Sequence, residues 1–228
     1  MALSKHLEDV QKAIDYRFTD PGLLETALTH SSFASENGVE SYERLEFLGD
    51  AVLELAVTER IFDLLGDASE GHMTRTRASV VDEASLASVA RVHGLVAAIR
   101  LGVGEDRNGG RARSSIQSDV VEAILGAVYM DGGAASAFGV VNRLLADTVA
   151  DRVATPTIAD PRSGLQEQLA QVGKTVDFEY QRSGPDHAVT YSATASVEGT
   201  VIGTGSGASK KSAAINAARS ALEDDLSS

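Results

Sequence analysis

The sequence of 228 residues contains no cysteine and no tryptophan, and only four prolines. Without cysteine the chain can form no disulfide, and it has no thiolate for nucleophilic catalysis or for binding zinc or an iron–sulfur cluster. The lack of cysteine is consistent with a cytoplasmic protein, and this is the location that we expect.

Long hydrophobic runs and positive charge are also scarce. No apolar run approaches the roughly 18–20 residues that a membrane helix needs, and the N-terminus lacks the apolar segment of a signal peptide, so we expect no membrane partner. The chain has 33 acidic and 20 basic residues, which gives a net charge of −13 at pH 7. Because phosphate binding normally requires an excess of Lys and Arg, this balance by itself argues against a nucleic-acid partner.

The hydrophobic pattern divides the chain into two parts. Residues 1–153 follow helical periodicity, with predicted helices over 3–14, from Asp20-Pro21 onwards, and over 42–65, 74–93, 118–129 and 134–153. Residues 154–160 contain proline and are predicted to be a linker. Residues 161–228 contain three alternating stretches between two helical ones, which predicts the order α-β-β-β-α. We therefore expect a mainly α N-terminal domain followed by a small α+β domain.

Three acidic residues share one face of the helix predicted over 42–65. Glu43, Glu46 and Asp50 are spaced i, i+3 and i+7, which places them within about 60° of one another around the helix axis. A solvated acidic face is the alternative for any one of them. Another face of this helix carries apolar residues that we expect in the core, namely Leu45, Leu48, Val52 and Leu55.

The helix predicted over 118–129 is apolar nearly all round, which is typical of a buried helix. Its only charges are Asp119 and Glu122, one turn apart. Burying ionised carboxylates costs several kcal/mol each unless they are paired or bind a metal. A hard divalent cation, Mg²⁺ or Mn²⁺, suits such oxygen ligands, and ion pairs to arginines such as Arg75 or Arg77 are the open alternative.

Two other kinds of site have weak support. A glycosidase also uses paired carboxylates, but with 5 % aromatic residues the chain offers few surfaces on which a sugar could stack. Residues 203–208 fit the G-x-G-x-x-A pattern of dinucleotide-binding proteins, but we expect no βαβ unit around them. Ala208 and Ser209 stand where a phosphate-binding loop would have glycine before lysine. We therefore expect no nucleotide cofactor.

The segment Glu43-Arg-Leu-Glu-Phe-Leu-Gly-Asp-Ala-Val-Leu53 resembles the signature of bacterial ribonuclease III. The resemblance continues in the T-H-x-S segment within residues 27–33 and in the E-G and R-x-R-A elements of residues 70–79. Residues 118–127 resemble the second acidic helix of that family, and residues 161–228 resemble a double-stranded-RNA-binding domain. Together these segments cover essentially the whole chain.

The resemblance implies an endonuclease that uses Mg²⁺, with Mn²⁺ as a substitute, to hydrolyse double-stranded RNA. It implies products with 5′-phosphate ends and short 3′ overhangs, and work on ribosomal precursors and other structured transcripts. The implied metal-binding catalytic acids are Glu46, Asp50, Asp119 and Glu122. Glu43 and Glu70 are implied to shape the site or a dimer contact. The implied assembly is a homodimer, and Phe47 is a candidate for packing in its interface.

In the second part, the resemblance implies three RNA-contacting segments. They are the first short helix, the loop between the first two strands and the start of the last helix, with the residues Gln166, Glu167, His187, Ser209, Lys210 and Lys211. Double-stranded RNA is recognised mostly by its shape, so a few well-placed donors suffice. The alternative function is a double-stranded-RNA-binding protein that does not cleave. The retained acids argue against it, because a binding protein needs no buried carboxylates.

Overall fold

The computed structural model describes residues 2–154, 161–185 and 189–225. These residues form two compact units, one before residue 155 and one after residue 160. Apart from Ala154, which ends a helix, the predicted linker lies outside the described residues. The exact domain boundaries given above stay predictions.

The first unit is helical, as predicted. Its helices are α1 (Ala2–Ile14), α2 (Pro21–Ala27), α3 (Ser31–Asn37), α4 (Glu43–Leu65), α5 (Glu70–Val80), α6 (Glu83–Val92), α7 (Val103–Arg107) and α8 (Ser114–Ala154), with 3₁₀ turns at Leu95–Ala98 and Gly110–Ala112. The second unit contains α9 (Pro161–Gln171), β1 (Asp177–Ser183), β2 (Thr190–Val197), β3 (Thr200–Gly207) and α10 (Lys210–Asp225). The order α-β-β-β-α is therefore confirmed.

The first half of α8 forms the centre of the helical unit, and α4 and α6 pack against it. Five of its apolar side chains are fully buried, namely Val120, Val121, Ile124, Leu125 and Val128, whereas Tyr129 and Met130 near the end of this half are exposed. The prediction of a buried helix is thus confirmed. By length and composition α8 would also be long and apolar enough to cross a membrane, although its apolar residues do not form one long uninterrupted run. In this unit they instead form a protein core.

Several helix boundaries differ from the sequence prediction. The helix predicted over 74–93 is two helices, because Asp82 interrupts it and caps α6 by accepting a hydrogen bond from the Ser85 amide at 2.7 Å. Helix α3 was not predicted, and the ring of His30 caps it by accepting from the Ser32 amide at 3.1 Å. The predicted loop over 102–113 contains α7 and a 3₁₀ turn. These differences depend on single capping residues or turns, which the spacing of apolar residues does not show.

The two helices predicted over 118–129 and 134–153 are joined in α8 across a kink at Gly133. Just before the kink, the Asp131 carboxylate accepts hydrogen bonds from the Tyr16 hydroxyl at 2.7 Å and from the Thr19 and Asp20 amides at 2.9 Å each. Gly133 has φ 74° and ψ −176°, a combination that essentially only glycine adopts. The kink therefore depends on glycine at this position.

We expect Gly133→Ala to lower the free energy of unfolding by about 1–3 kcal/mol, since a Cβ is strained at this φ and ψ. Urea unfolding followed by circular dichroism measures the change. Gly139→Ala is the matched control, because Gly139 lies in the same helix with no heavy atom within 4 Å of an added Cβ. That control is expected to be neutral or to stabilise by up to about 1 kcal/mol. Equal effects of the two substitutions would contradict a special role for Gly133.

In the second unit, β1, β2 and β3 form one antiparallel sheet in that order. Helix α10 packs closely on β2 and β3 through fully buried alanines. A Cβ on Gly203 would lie 2.3 Å from the Ala217 carbonyl oxygen, and one on Gly205 would lie 2.2 Å from the Ala217 amide nitrogen. The glycine pattern of residues 203–208 is thus explained by helix–sheet packing.

Candidate metal centre

The acidic segments of α4 and α8 meet where the two helices cross at a pair of glycines. A Cβ on Gly49 would lie 1.7 Å from the Glu122 carbonyl oxygen, and one on Gly126 would lie 2.1 Å from the Leu45 carbonyl oxygen. Backbone therefore contacts backbone at this crossing. The contact brings the acidic turns of the two helices together.

Three of the four acids predicted to bind metal form a tight cluster. Glu46, Asp119 and Glu122 each offer a carboxylate oxygen, and these oxygens lie within 4.8 Å of one another. All three side chains are half-buried. Asp50 is exposed and lies outside this group, but its charge acts on Glu122. The structure thus brings together acids that are 3 to 76 residues apart in the sequence.

Burial first, and then the charges of neighbouring acids, raise the pKa of Glu122 and Glu46. Burial, together with the charges of Asp50, Asp119 and Glu46, raises the pKa of Glu122 to about 7. Burial and the neighbouring acids also raise the pKa of Glu46. These shifts show that the ionised cluster is unfavourable without a counter-charge. A divalent cation with oxygen ligands would supply that charge, so the residues present fit such an ion.

The alternative of an arginine counter-charge is wrong for Arg77. Its Nε lies 2.9 Å from a carboxylate oxygen of Glu54, and its Nη1 donates to the Thr58 hydroxyl at 3.1 Å. Arg77 therefore pairs with an acid of α4 that is not part of the cluster.

Tyr42 is a site residue that the sequence prediction missed. Its side chain is 3 % exposed, and its hydroxyl donates a hydrogen bond to Oδ2 of Asp119 at 3.0 Å. Burial and the Asp119 charge raise the pKa of the Tyr42 phenol above its usual value. Burial raises the pKa of Asp119, while hydrogen bonds from Tyr42 and Ser118 act in the opposite direction. The sequence contained a signal for this role, because Tyr42 directly precedes the acidic helix. A tyrosine that is buried at such a position needs a hydrogen-bond partner for its hydroxyl.

The remaining residues proposed for the first unit lie outside the cluster. Glu43 is exposed and accepts a hydrogen bond from the Ser41 hydroxyl at 2.8 Å. Glu70 is exposed at the start of α5 and accepts from the Thr74 hydroxyl at 3.0 Å. Phe47 is 83 % exposed on α4. None of the three contributes to the group of three carboxylates.

In the second unit, the predicted RNA-contacting residues that are described are at the surface. Gln166 is exposed on α9, whereas His187 and the Glu167 side chain lie outside the described residues. Ser209 caps α10, because its hydroxyl accepts from the Ser212 amide at 3.1 Å. Lys210 and Lys211 are exposed in the first turn of that helix. Two ammonium groups thus lie at a helix N-terminus, where the backbone also favours anions.

Comparison with known proteins decides the family. The Ribonuclease-III-like family profile matches residues 20–149, and the Double-stranded RNA binding motif matches residues 161–224. A protein named Ribonuclease 3 from Leifsonia xyli subsp. xyli is 45% identical over 205 residues, which are 89% of this chain and 86% of that protein. The chain belongs to the ribonuclease III family. The resemblance seen in the sequence is therefore confirmed.

Further relatives of the ribonuclease III family agree. A protein named Ribonuclease 3 from Pelotomaculum thermopropionicum is 45% identical over 215 residues, 92% of this chain and 89% of that protein. A solved structure of the nuclease domain of ribonuclease III from Campylobacter jejuni covers 62% of this chain and 96% of that chain, with 40% sequence identity and a TM-score of 0.59. Membership of this family implies use of a divalent metal, and the acids of α4 and α8 provide a cluster that suits one.

Proposed function

We propose that the protein is an endoribonuclease that hydrolyses phosphodiester bonds in double-stranded RNA and requires Mg²⁺, which Mn²⁺ can replace. The observation that carries this proposal is the carboxylate cluster of Glu46, Asp119 and Glu122 in a chain that also contains a double-stranded-RNA-binding motif. The names of the relatives support the same activity.

The proposed roles follow from the positions of the acids. Glu46, Asp119 and Glu122 would hold the cation, since their oxygens are close enough to share one ion. Asp50, exposed and electrostatically coupled to Glu122, would complete the ligand set from the solvent side. When bound, a divalent cation supplies a water of lowered pKa and stabilises charge on the leaving oxygen. The chemistry thus needs no serine, cysteine or histidine nucleophile.

RNA binding is proposed for the surface of the second unit. The N-terminus of α10 with Ser209, Lys210 and Lys211 would contact backbone phosphates. Gln166, Glu167 and His187 are proposed to contact the minor groove.

We propose products with 5′-phosphate ends and short 3′ overhangs, and ribosomal precursors and structured transcripts as substrates. The cytoplasmic location stays a prediction.

A homodimer is proposed from the exposed apolar residues of α4. Phe47, Leu55 and Phe62 are 83 %, 60 % and 63 % exposed, and their spacing places them within about 80° of one another around the helix. The prediction that Leu55 lies in the core is wrong, because its side chain is 60 % exposed. The Campylobacter jejuni nuclease domain is described as having a region involved in dimer formation, which supports the proposal.

We expect Phe47→Asp to weaken the dimer by about a hundredfold or more. A symmetric interface buries the side chain twice, and each burial of a phenylalanine contributes about 1.5–3 kcal/mol. Sedimentation equilibrium over a range of protein concentrations measures the dissociation constant. Val92→Asp is the control, since Val92 is 77 % exposed but lies on α6. Equal weakening by both variants would contradict the assignment of the interface to α4.

The nuclease proposal is tested by offering the full chain three substrates, namely duplex RNA, the same RNA as a single strand and a DNA duplex of that sequence. Each is incubated with Mg²⁺, with Mn²⁺ or with EDTA. We expect duplex RNA alone to be cut to short duplexes, and only with a metal. Binding of duplex RNA without cleavage under any of these conditions would instead support the non-cleaving RNA-binding protein.

A further inference from the structure

We propose that Tyr42 is a positioning residue whose hydroxyl holds the Asp119 carboxylate in the orientation in which the cluster binds a divalent cation. This inference rests on the proposed function, since it assigns a task within the same site. Tyr42 is not one of the proposed metal ligands. The inference is argued from the hydrogen bonds that Tyr42 makes with residues of α4 and of α8.

The backbone of Tyr42 is held by hydrogen bonds of both its amide and its carbonyl group. Its amide donates to the Thr29 carbonyl oxygen at 2.8 Å, and its carbonyl oxygen accepts from the Glu46 amide at 2.9 Å. The second bond belongs to the first turn of α4, so Tyr42 and Glu46 are fixed in one backbone frame. The Tyr42 side chain is therefore attached at a fixed position relative to Glu46 on α4.

The Tyr42 hydroxyl links that frame to α8. It reaches Oδ2 of Asp119 at 3.0 Å from a phenol ring that is 3 % exposed. The other oxygen of Asp119 has a longer contact, 3.4 Å from the Ser118 hydroxyl. Rotation of an aspartate carboxylate about χ2 is otherwise loosely restricted. The hydrogen bond from Tyr42 therefore limits this rotation and sets where the Asp119 oxygens face Glu46 and Glu122.

A purely structural role is the competing explanation, because a buried tyrosine commonly finds a hydrogen-bond acceptor. The two roles differ in what the phenol oxygen affects. A structural hydrogen bond contributes to the free energy of unfolding only, whereas a positioning bond also changes the affinity of the site for its cation. Groups that orient metal ligands typically change metal affinity or activity by about 10–100-fold when removed.

The chain offers a matched control for Tyr42→Phe. Tyr16 also donates to an aspartate of α8, Oδ2 of Asp131, at 2.7 Å. Asp131 lies 12 residues after Asp119 in the same helix, about 18 Å along its axis. Tyr16→Phe thus removes the same kind of hydrogen bond from the same helix, at a distance from the cluster.

The test is a Mn²⁺ titration of the full-length protein without RNA, with free Mn²⁺ measured by electron paramagnetic resonance. We expect Tyr42→Phe to bind Mn²⁺ about 10–100-fold more weakly than wild type, and Tyr16→Phe to bind it as wild type does. Thermal unfolding of each variant establishes that it is folded at the titration temperature. In RNA cleavage, Tyr42→Phe is expected to need correspondingly more Mg²⁺ for half-maximal rate.

The outcomes separate the positioning role from the proposed function. Unchanged Mn²⁺ affinity of folded Tyr42→Phe, with a wild type that binds Mn²⁺ and cleaves, overturns the role of Tyr42 alone. A wild type that neither binds Mn²⁺ nor cleaves overturns the proposed function. Should Tyr42→Phe not fold, Tyr42→His is the second variant. Its ring is shorter than the phenol and stops short of Asp119, so we expect it to bind Mn²⁺ about 10–100-fold more weakly than wild type. Wild-type affinity in Tyr16→Phe and Tyr42→His, with unchanged Mg²⁺ dependence, would again overturn the role of Tyr42.

Discussion

Replacing Glu122 with glutamine is expected to lower the rate of RNA cleavage by about a thousandfold or more while stabilising the cation-free protein. The rate falls because the variant loses a charged ligand for the cation, whose stabilisation of the transition state amounts to several kcal/mol. The stability rises because the half-buried Glu122 carboxylate faces Asp50, Asp119 and Glu46. Initial rates on duplex RNA in Mg²⁺, and thermal unfolding in EDTA, measure the two effects.

The stabilisation by Glu122→Gln should depend on pH. Burial and nearby acids raise the pKa of Glu122 from 4.5 to about 7, so between these values the native state keeps a proton that the unfolded state has lost. The free energy of unfolding of wild type therefore falls as pH rises from about 4.5 to 7. The Glu122 contribution is at most about 3 kcal/mol, and less after allowing for its partial exposure to solvent. Glutamine lacks this titration, so the advantage of the variant is expected to be largest at pH 8 and absent near pH 4.5.

Glu59→Gln is the control for the pH dependence, because Glu59 lies exposed on α4 outside the cluster. Its effect on the free energy of unfolding should stay within about 0.5 kcal/mol at both pH values. Excess Mg²⁺ is expected to remove the advantage of Glu122→Gln, since the cation stabilises only the form that binds it. A Glu122→Gln protein that is no more stable than wild type at pH 8 in EDTA would show that the cluster is not under electrostatic strain.

The second large effect is expected at the crossing of α4 and α8. An added Cβ at Gly49 would lie 1.7 Å from the Glu122 carbonyl oxygen and 2.9 Å from the Gly126 amide nitrogen. Both neighbours are helix backbone, which cannot rotate away as a side chain can. Gly49→Ala is therefore expected to lower the free energy of unfolding by about 3 kcal/mol or more.

Activity should fall with stability in Gly49→Ala, because the helices that carry Glu46 and Glu122 would be forced apart. Chemical unfolding and cleavage rates below the melting temperature measure both consequences. Gly139→Ala again serves as control, since an added Cβ there meets no atom within 4 Å. A stable and fully active Gly49→Ala would mean that the two helices tolerate a wider spacing, and that backbone contact is not what sets the site.

Two acids of this site could be noticed from the residues alone because charge is conspicuous in a buried helix, whereas Glu46 and Asp50 were assigned by the family resemblance. Asp119 and Glu122 are the only charges within residues 118–129, and their isolation among apolar side chains is enough to indicate a special role. The pairing of α8 with α4 could not be read from periodicity. It depends on Gly49 and Gly126, and glycine within a helix is a sign of weak helix propensity as often as of close packing.

The wrong predictions show what the spacing of residues along the chain cannot reveal. Leu55 follows the helical spacing of core residues, but an apolar stripe that stays exposed on the surface of the chain has the same spacing as one that faces the core. Tyr42 was assigned only to the start of a helix, since its partner Asp119 lies 77 residues away in the sequence. The break between α5 and α6 depends on Asp82, whose capping role is visible only once the chain turns there.

The most direct test of whether the acid cluster is the catalytic centre uses one labelled RNA duplex. Its binding and its cleavage are measured with wild type and with Glu122→Gln. If the acid cluster is the catalytic centre, both proteins bind the duplex with affinities within about threefold of each other in EDTA, since RNA binding is assigned mainly to other residues. Addition of Mg²⁺ then yields short duplexes with wild type and intact RNA with the variant. Equal cleavage by both proteins, or binding by wild type without cleavage in Mg²⁺ and in Mn²⁺, would contradict the assignment of catalysis to this cluster.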